Sequence, residues 1–347
     1  MRKMSRTRPR YCIDRDRPAV KQPLGYIAPA WLPGGHLQTV WPALWGRKAL
    51  ADSVLYRRER WTTPDQDFVD VDWLDCAASE SSKPLLVLFH GLEGSSRSHY
   101  ALAFAGHAQR MGWSYAVPHF RGCSGEINLA PRAYHSGDFA EIDWILQRFR
   151  AQHHGPIVAV GVSLGGNALL RWAQESGSHA CQTVDAVAAL CAPLDLAAGG
   201  QALGRGLNRW IYTPMFLRTM KAKALLKLQQ HPGLFDRAAL LSASDLYAFD
   251  NVFTAPLHGF KNTQDYWARA SAKPQLRALR LPTLLLHARN DPFVPAWSLP
   301  EQTDASAEVT LWQTSQGGHL GFAQGMPPGD LNYLPEQIGA WLERHLK

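Results

Sequence analysis

The sequence predicts an α/β fold: a mostly parallel central sheet, helices on both faces, and a helical cap inserted late in the chain. Three observations predict it. Short apolar runs recur along the 347 residues, and most are followed at once by a stretch of helical period. Several of these runs, such as "KPLLVLF" and "PIVAVGV", are apolar throughout, as in strands covered on both faces. The strand–helix alternation lapses only between 196 and about 275 and then resumes. Alternation of this kind means βαβ units and a parallel sheet, and right-handed crossovers distribute the helices over both faces.

Taken in order, residues 22–50 hold "GYIAPAWLPGGHLQTVWPALWG", rich in Pro, Gly and Trp, which reads as irregular chain laid over a core. Residues 54–62 and 67–75 alternate apolar with polar and read as an antiparallel hairpin at a sheet edge. The strand at 83–89 precedes "HGLEGSS" and a helix from 98 to 111. A strand at 113–120, the loop "RGCSGEIN" and a helix near 137–151 come next. "PIVAVGV" leads into a helix at 164–176, and "VDAVAALCAP" forms the next strand. After the helical stretch come strands at 281–288 and 308–314, and "LPEQIGAWLERHL" closes the chain as a helix. The expected organisation is a basic arm at 1–21, a core at 22–195, a helical cap at 196–275 and the rest of the core at 276–347.

The formal net charge is +7, yet it is concentrated. Residues 1–21 hold eight basic residues against Asp14 and Asp16, so the arm carries nearly the whole excess. No nucleic-acid recognition motif accompanies it, and it lacks the apolar h-region of a secretory signal. Nucleic acid is therefore not an expected partner. Five cysteines without CxxC spacing lead to an expectation of reduced thiols and a cytoplasmic protein. No apolar run is long enough to span a bilayer.

Chemistry concentrates at "VGVSLGG". A serine hydroxyl is a weak nucleophile until a base takes its proton and donors hold the resulting oxyanion. A sharp strand-to-helix turn exposes such a hydroxyl above the sheet. Ser163 stands at that junction, and Gly161 and Gly165 relieve the crowding of the turn. An acid and then a histidine should follow, each just after a strand. Asp291 in "LLLHARNDPFVP" and His319 in "SQGGHLGF" hold those places. An Asp-Pro turn and an ordinary loop histidine are the plainer explanations of each alone; the ordered set argues for a catalytic trio. His287 is the poorer base, because it lies within its strand. The oxyanion donors are assigned to the backbone N–H groups of Leu164 and Leu92, with Gly91 permitting close backbone approach.

These residues, with "GGHLQTVWP", "HGLEGSSRSHY", "HFRGCSGEIN", "YHSGD" and "FDNVFTAPLHGFKNTQDYW", resemble the YheT-like (ABHD-type) branch of the α/β-hydrolase fold family. Trp267 stands where the resemblance leads one to expect tyrosine. The resemblance covers nearly all of the chain after the arm. It implies a Ser163–Asp291–His319 triad hydrolysing carboxylic esters with no cofactor and no metal. Substrates would range from short-chain esters to acylglycerol or phospholipid-type lipids.

Other constellations carry less. His135 and Asp138, and the pair His153–His154, lack further ligands at metal-site spacing and read as structural. Arg121, Glu126 and Asp138 are placed as braces of the loops around the site. From Arg205 to Lys227 there are six basic residues and no acidic one. Such a stretch either touches an anionic membrane peripherally or is a cap with an apolar inner face and a solvated outer one. A serine hydrolase is the leading expectation. Acyl transfer through the same triad, and a non-catalytic binding protein on this fold, are the alternatives. Oligomeric state is not legible.

Overall fold

A computed structural model of the protein describes residues 24–46, 54–74 and 82–347; the basic arm, Cys12 and Cys76 lie outside the described residues. One eight-stranded sheet runs in the order β1-β2-β4-β3-β5-β6-β7-β8. Strands β1 (Tyr56–Thr62) and β2 (Phe68–Leu74) form the expected antiparallel hairpin, and β2 is antiparallel to β4 (Ser114–Pro118). From β4 across β3 (Leu85–Phe89), β5 (Ile157–Val162), β6 (Ala186–Leu190), β7 (Thr283–Ala288) and β8 (Val309–Thr314), every pairing is parallel.

The period of two in each strand divides the core between the two faces of the sheet. Leu86, Leu88, Val158, Val160, Leu284 and Leu286 point to one face, beneath α2 (His99–Met111) and α11 (Tyr333–Glu343). Leu85, Val87, Phe89, Ile157, Ala159 and Leu285 point to the other, beneath α3 (Phe139–Gln152) and α4 (Leu164–Ser176). Both faces are covered, so β3, β5, β6 and β7 are buried along their whole lengths. That is why they read as unbroken apolar runs.

Between β6 and β7 the chain is helical: α5 (Leu196–Leu203), α6 (Gly206–Gln230), α7 (Arg237–Ser242), α8 (Leu246–Val252), α9 (Thr254–Leu257) and α10 (Thr263–Ala270). Short polar residues start four of them. Asp195, Asp236, Asp245 and Asn262 each accept a hydrogen bond from a first-turn backbone N–H, satisfying donors that have no partner inside the helix.

Two expectations are corrected. Residues 34–41 are helical, not irregular: α1 spans Gly34–Trp41, and a wide turn over Pro42–Gly46 follows. Its buried residues are the polar Gln38 and Thr39, so no apolar stripe advertised it. Cys181 is disulfide-bonded, which overturns the expectation that all five thiols are reduced; spacing says nothing about pairing between distant cysteines. Cys123 and Cys191 are free.

Candidate active site

Strand β5 ends at Val162 and α4 begins at Leu164, leaving Ser163 alone at the junction. Its backbone has φ 52° and ψ −120°, a region costing a non-glycine residue about 1–3 kcal/mol. The flanking glycines answer to space. A Cβ on Gly161 would lie 2.6 Å from the Gly165 carbonyl oxygen, and one on Gly165 would lie 2.4 Å from the His90 carbonyl oxygen. Strand, turn and helix approach too closely there for any side chain.

Asp291 sits three residues beyond β7, its N–H bonded to the Ala288 carbonyl at 3.1 Å. Its Oδ1 accepts from the N–H groups of Phe293 (2.7 Å) and Val294 (3.3 Å). Its Oδ2 faces His319 Nδ1 at 2.8 Å. A carboxylate only accepts, so Nδ1 carries the proton and Nε2 is left as the basic nitrogen. Asp291 and His319 are both buried, and Ser163 and His319 line one cleft. Sequence reasoning missed Cys191. Its Sγ, an Asp291 oxygen and a His319 nitrogen all lie within 4.8 Å of one another, and burial pushes the thiol well above its ordinary pKa, keeping it neutral beside the pair.

The loop after β3 is held so that one amide stays free. Gly91 N–H donates to the Tyr100 hydroxyl (2.9 Å), Glu93 N–H to the Tyr134 hydroxyl (2.9 Å) and Gly94 N–H to the Gly91 carbonyl (2.9 Å). Among the described residues the Leu92 N–H has no partner. Nor does that of Leu164, in the first turn of α4, where helical N–H groups point outward unpaired. A Cβ on Gly91 would come within 3.2 Å of the Ser163 Cβ, so this loop passes directly over the serine. His90 fixes the loop from below: Nδ1 faces the Gly91 carbonyl at 2.8 Å, and Nε2 accepts from the Phe120 N–H at 3.1 Å. Burial drives its pKa down to about 3, which keeps the imidazole neutral and able to do both.

Two further supports went unread in the sequence. The polar side of α1 fastens the loops that carry the acid and the histidine. Gln38 Oε1 accepts from Gly317 N–H (2.8 Å) and Asn290 Nδ2 (2.9 Å), and Thr39 Oγ1 accepts from His319 N–H (2.9 Å). A Cβ on Gly318 would lie 2.7 Å from the Gly35 carbonyl oxygen, so the motif "GGHLQT" and the "GGH" of the histidine loop interlock. The second support comes from α6. Lys223 Nζ reaches Glu93 Oε1 at 2.9 Å and Cys123 Sγ at 3.3 Å, and the Tyr134 hydroxyl donates to the same Glu93 oxygen at 2.8 Å. Lys227 is buried and donates to the Asn128 carbonyl; burial lowers its pKa to about 8. Two lysines thus turn inward on a helix whose basic residues read as a solvated face.

The cleft has a volume of about 150 Å³, and its walls are mainly apolar, among them Phe216, Met220, Phe253, Trp267 and Phe293. Trp267 fits because Gly200 faces it: a Cβ there would lie 2.3 Å from the indole. Its Nε1 donates to Asp250 at 2.9 Å. Of the expected braces, Arg121 is buried among Asp65, Asp67 and Glu141. Glu126 pairs with Arg60, and Asp138 with Arg132. His135 packs on His258 with ring centroids 4.3 Å apart, and His153 Nε2 faces the Lys83 carbonyl at 2.7 Å.

Residues 84–325 match the family model described as alpha/beta hydrolase fold. The chain belongs to the α/β-hydrolase fold family. Within it the chain is a YheT-like member, being 38% identical over 315 residues to the Escherichia coli protein named putative esterase YheT, with 90% of this chain and 91% of that protein covered. The human protein named phospholipase ABHD3 is 28% identical over 319 residues, 86% of this chain and 76% of its own. Among solved structures, an esterase of Pyrococcus furiosus, Pf2001, superposes with a TM-score of 0.53 at 16% identity, covering 87% of this chain and 95% of that one; at that identity the likeness is one of fold.

Proposed function

We propose that the protein is a serine hydrolase of carboxylic esters that works through an acyl-enzyme. In this reading Ser163 Oγ attacks the ester carbonyl carbon while His319 Nε2 takes its proton. The tetrahedral oxyanion is held by the N–H groups of Leu92 and Leu164. Collapse of this intermediate breaks the bond to the alkoxy oxygen, and His319 returns the proton to the departing alcohol. Water then attacks the acyl-enzyme with His319 again as base, releasing the acid and restoring Ser163. Asp291 holds the histidine tautomer and stabilises the imidazolium. The single observation that carries the reading is Ser163, held in a strained left-handed conformation in the cleft of a histidine whose other nitrogen is bonded to a buried carboxylate.

The apolar walls of the cleft support an acyl chain as the substrate's bound part, and the relatives named phospholipase and putative esterase are consistent with that. The test is hydrolysis of p-nitrophenyl esters from acetate to palmitate by the wild type and Ser163→Ala. Turnover in the wild type and a loss of at least about 10³-fold in the variant are expected. Equal rates at every chain length would overturn the reading. Adding ethanol as a competing acceptor separates hydrolysis from acyl transfer by product.

A further inference from the structure

We propose that the outward face of α6 docks on an anionic lipid surface, and that substrate enters the cleft from that surface. The inference deepens the ester-hydrolase reading and rests on it for the word substrate. Large apolar residues line this face: Leu207 is 60% exposed, Trp210 78%, Ile211 49% and Met215 49%. Their spacing, completed by the exposed Pro214 and Arg218, is that of one side of a helix. Buried apolar residues are the rule for a helix lying on a sheet; here they face outward, where burial would need something to cover them.

Charge identifies what covers them. Arg205, Arg209 and Arg218 are all exposed, and residues 205–227 contain no acidic side chain. Bulky apolar residues in the company of exposed cations are the composition of a helix lying in a bilayer interface, where each cation adds attraction to anionic headgroups. Symmetric pairing with a second copy would set these arginines against themselves.

The inward face of the same helix explains the consequence. Tyr212 packs on Phe293 with centroids 4.6 Å apart, and the Phe293 ring lies 4.5 Å from that of His319. Phe216 and Met220 line the cleft. A single helix, about 10 Å across, therefore separates the proposed lipid surface from the reacting centre. Lys223 and Lys227, the inward lysines of the stretch, are bonded to Glu93 and Asn128, and Lys221 to the Leu241 carbonyl, which leaves Arg218 on the apolar stripe and Arg205 and Arg209 at its N-terminal end as the lipid-facing charge.

The test is co-sedimentation of the full chain with vesicles of phosphatidylcholine and phosphatidylglycerol in equal parts, and with phosphatidylcholine alone. Trp210→Glu/Ile211→Glu is the variant, since neither residue lines the cleft; Arg209→Glu/Arg218→Glu serves should the first misfold. Expected are binding to the anionic vesicles that weakens with salt, little binding to phosphatidylcholine, and a loss of at least about tenfold in partitioning for either variant. Hydrolysis of p-nitrophenyl acetate should be unchanged in both variants. No binding by the wild type, or binding that both variants leave intact, would overturn the proposal, as would a shift from dimer to monomer in the variants without a lipid effect. Wild-type binding without any ester turnover would instead remove the hydrolase reading while leaving the docking surface standing.

Discussion

Gln38 offers a test of how the loops bearing Asp291 and His319 are held. It is 1% exposed, and it makes three bonds: Oε1 accepts from Gly317 N–H and Asn290 Nδ2, and Nε2 donates to the Leu32 carbonyl at 2.8 Å. Gln38→Met keeps the length and volume of the side chain and removes every polar atom, so no cavity confuses the result. Two buried groups, Gly317 N–H and the Leu32 carbonyl, and the half-buried Asn290 Nδ2 lose their partner, each at about 1–3 kcal/mol. A loss of about 3 kcal/mol is the low end of that range, because the Asn290 amide retains its bond from Gly318 N–H at 2.9 Å. Activity should suffer separately. Gly317 and Asn290 flank His319 and Asp291, and a misplacement of about 1 Å at such a site costs on the order of 10²-fold. Urea unfolding followed by tryptophan fluorescence reads the first effect, and steady-state hydrolysis of p-nitrophenyl butyrate reads the second. We expect kcat to fall by about 10- to 100-fold with KM nearly constant. An unfolding midpoint and a kcat both within experimental scatter of the wild type would refute the reasoning.

Lys223→Met should lower kcat toward the 10²–10³-fold loss known for a missing oxyanion donor, with Lys223→Arg restoring most of it. Removing one partner of a buried ion pair costs about 3–5 kcal/mol, and the 30% exposure of the Lys223 side chain brings the expected destabilisation nearer 1–2. Gly165→Ala would put a methyl 2.4 and 2.5 Å from two backbone oxygens, so loss of soluble protein is expected on expression at any temperature; a folded, active Gly165→Ala enzyme would contradict the geometry. Asp250 supplies a pH test. Burial raises its pKa from 3.8 to about 6, so the folded state holds the proton more tightly than the unfolded one. Its contribution to stability is complete below about pH 4 and is lost as pH rises through 6, about 3 kcal/mol in all. Measured against Asp250→Asn, the wild type should therefore lose ground between pH 4 and 7, over a constant offset from the altered bonds to Thr254 and Trp267. A difference that is flat with pH would show that Asp250 does not titrate in that window.

The strands, and the residues that the structure gathers at their ends around the cleft, were legible because their signals are local. Burial on both faces writes an unbroken apolar run into β3, β5, β6 and β7, and the residues of interest follow such runs within a few positions. What went unread lacks a local signal. In α1 the buried side chains are Gln38 and Thr39 while Leu37 is 49% exposed, an inverted amphipathic pattern that no periodicity search would take for a packed helix. Its partners, Gly317 and His319, are about 280 residues away. Lys223 reads as one of a solvated basic series until Glu93, 130 residues earlier, is brought beside it. In α6 the basic and apolar composition was legible, but which apolar residues face outward was not, because a helix with apolar residues on both sides gives a weak stripe.

The division follows from what each group of residues must do. A nucleophile, an acid and a base need particular atoms at the ends of particular strands, and strand ends are visible in sequence. Holding those atoms still is done by polar contacts between elements remote in the chain, and the loop after β3 shows how. The assignment of Leu92 within "HGLEG" has its physical reason outside that motif. The choice is made by Tyr100 and Tyr134, whose hydroxyls occupy the amides on either side, and by Lys223 acting through Glu93. Since preorganised donors account for much of an enzyme's rate, the proposed ester hydrolysis would depend on residues well beyond Ser163, Asp291 and His319, in α1, α6 and the two tyrosines.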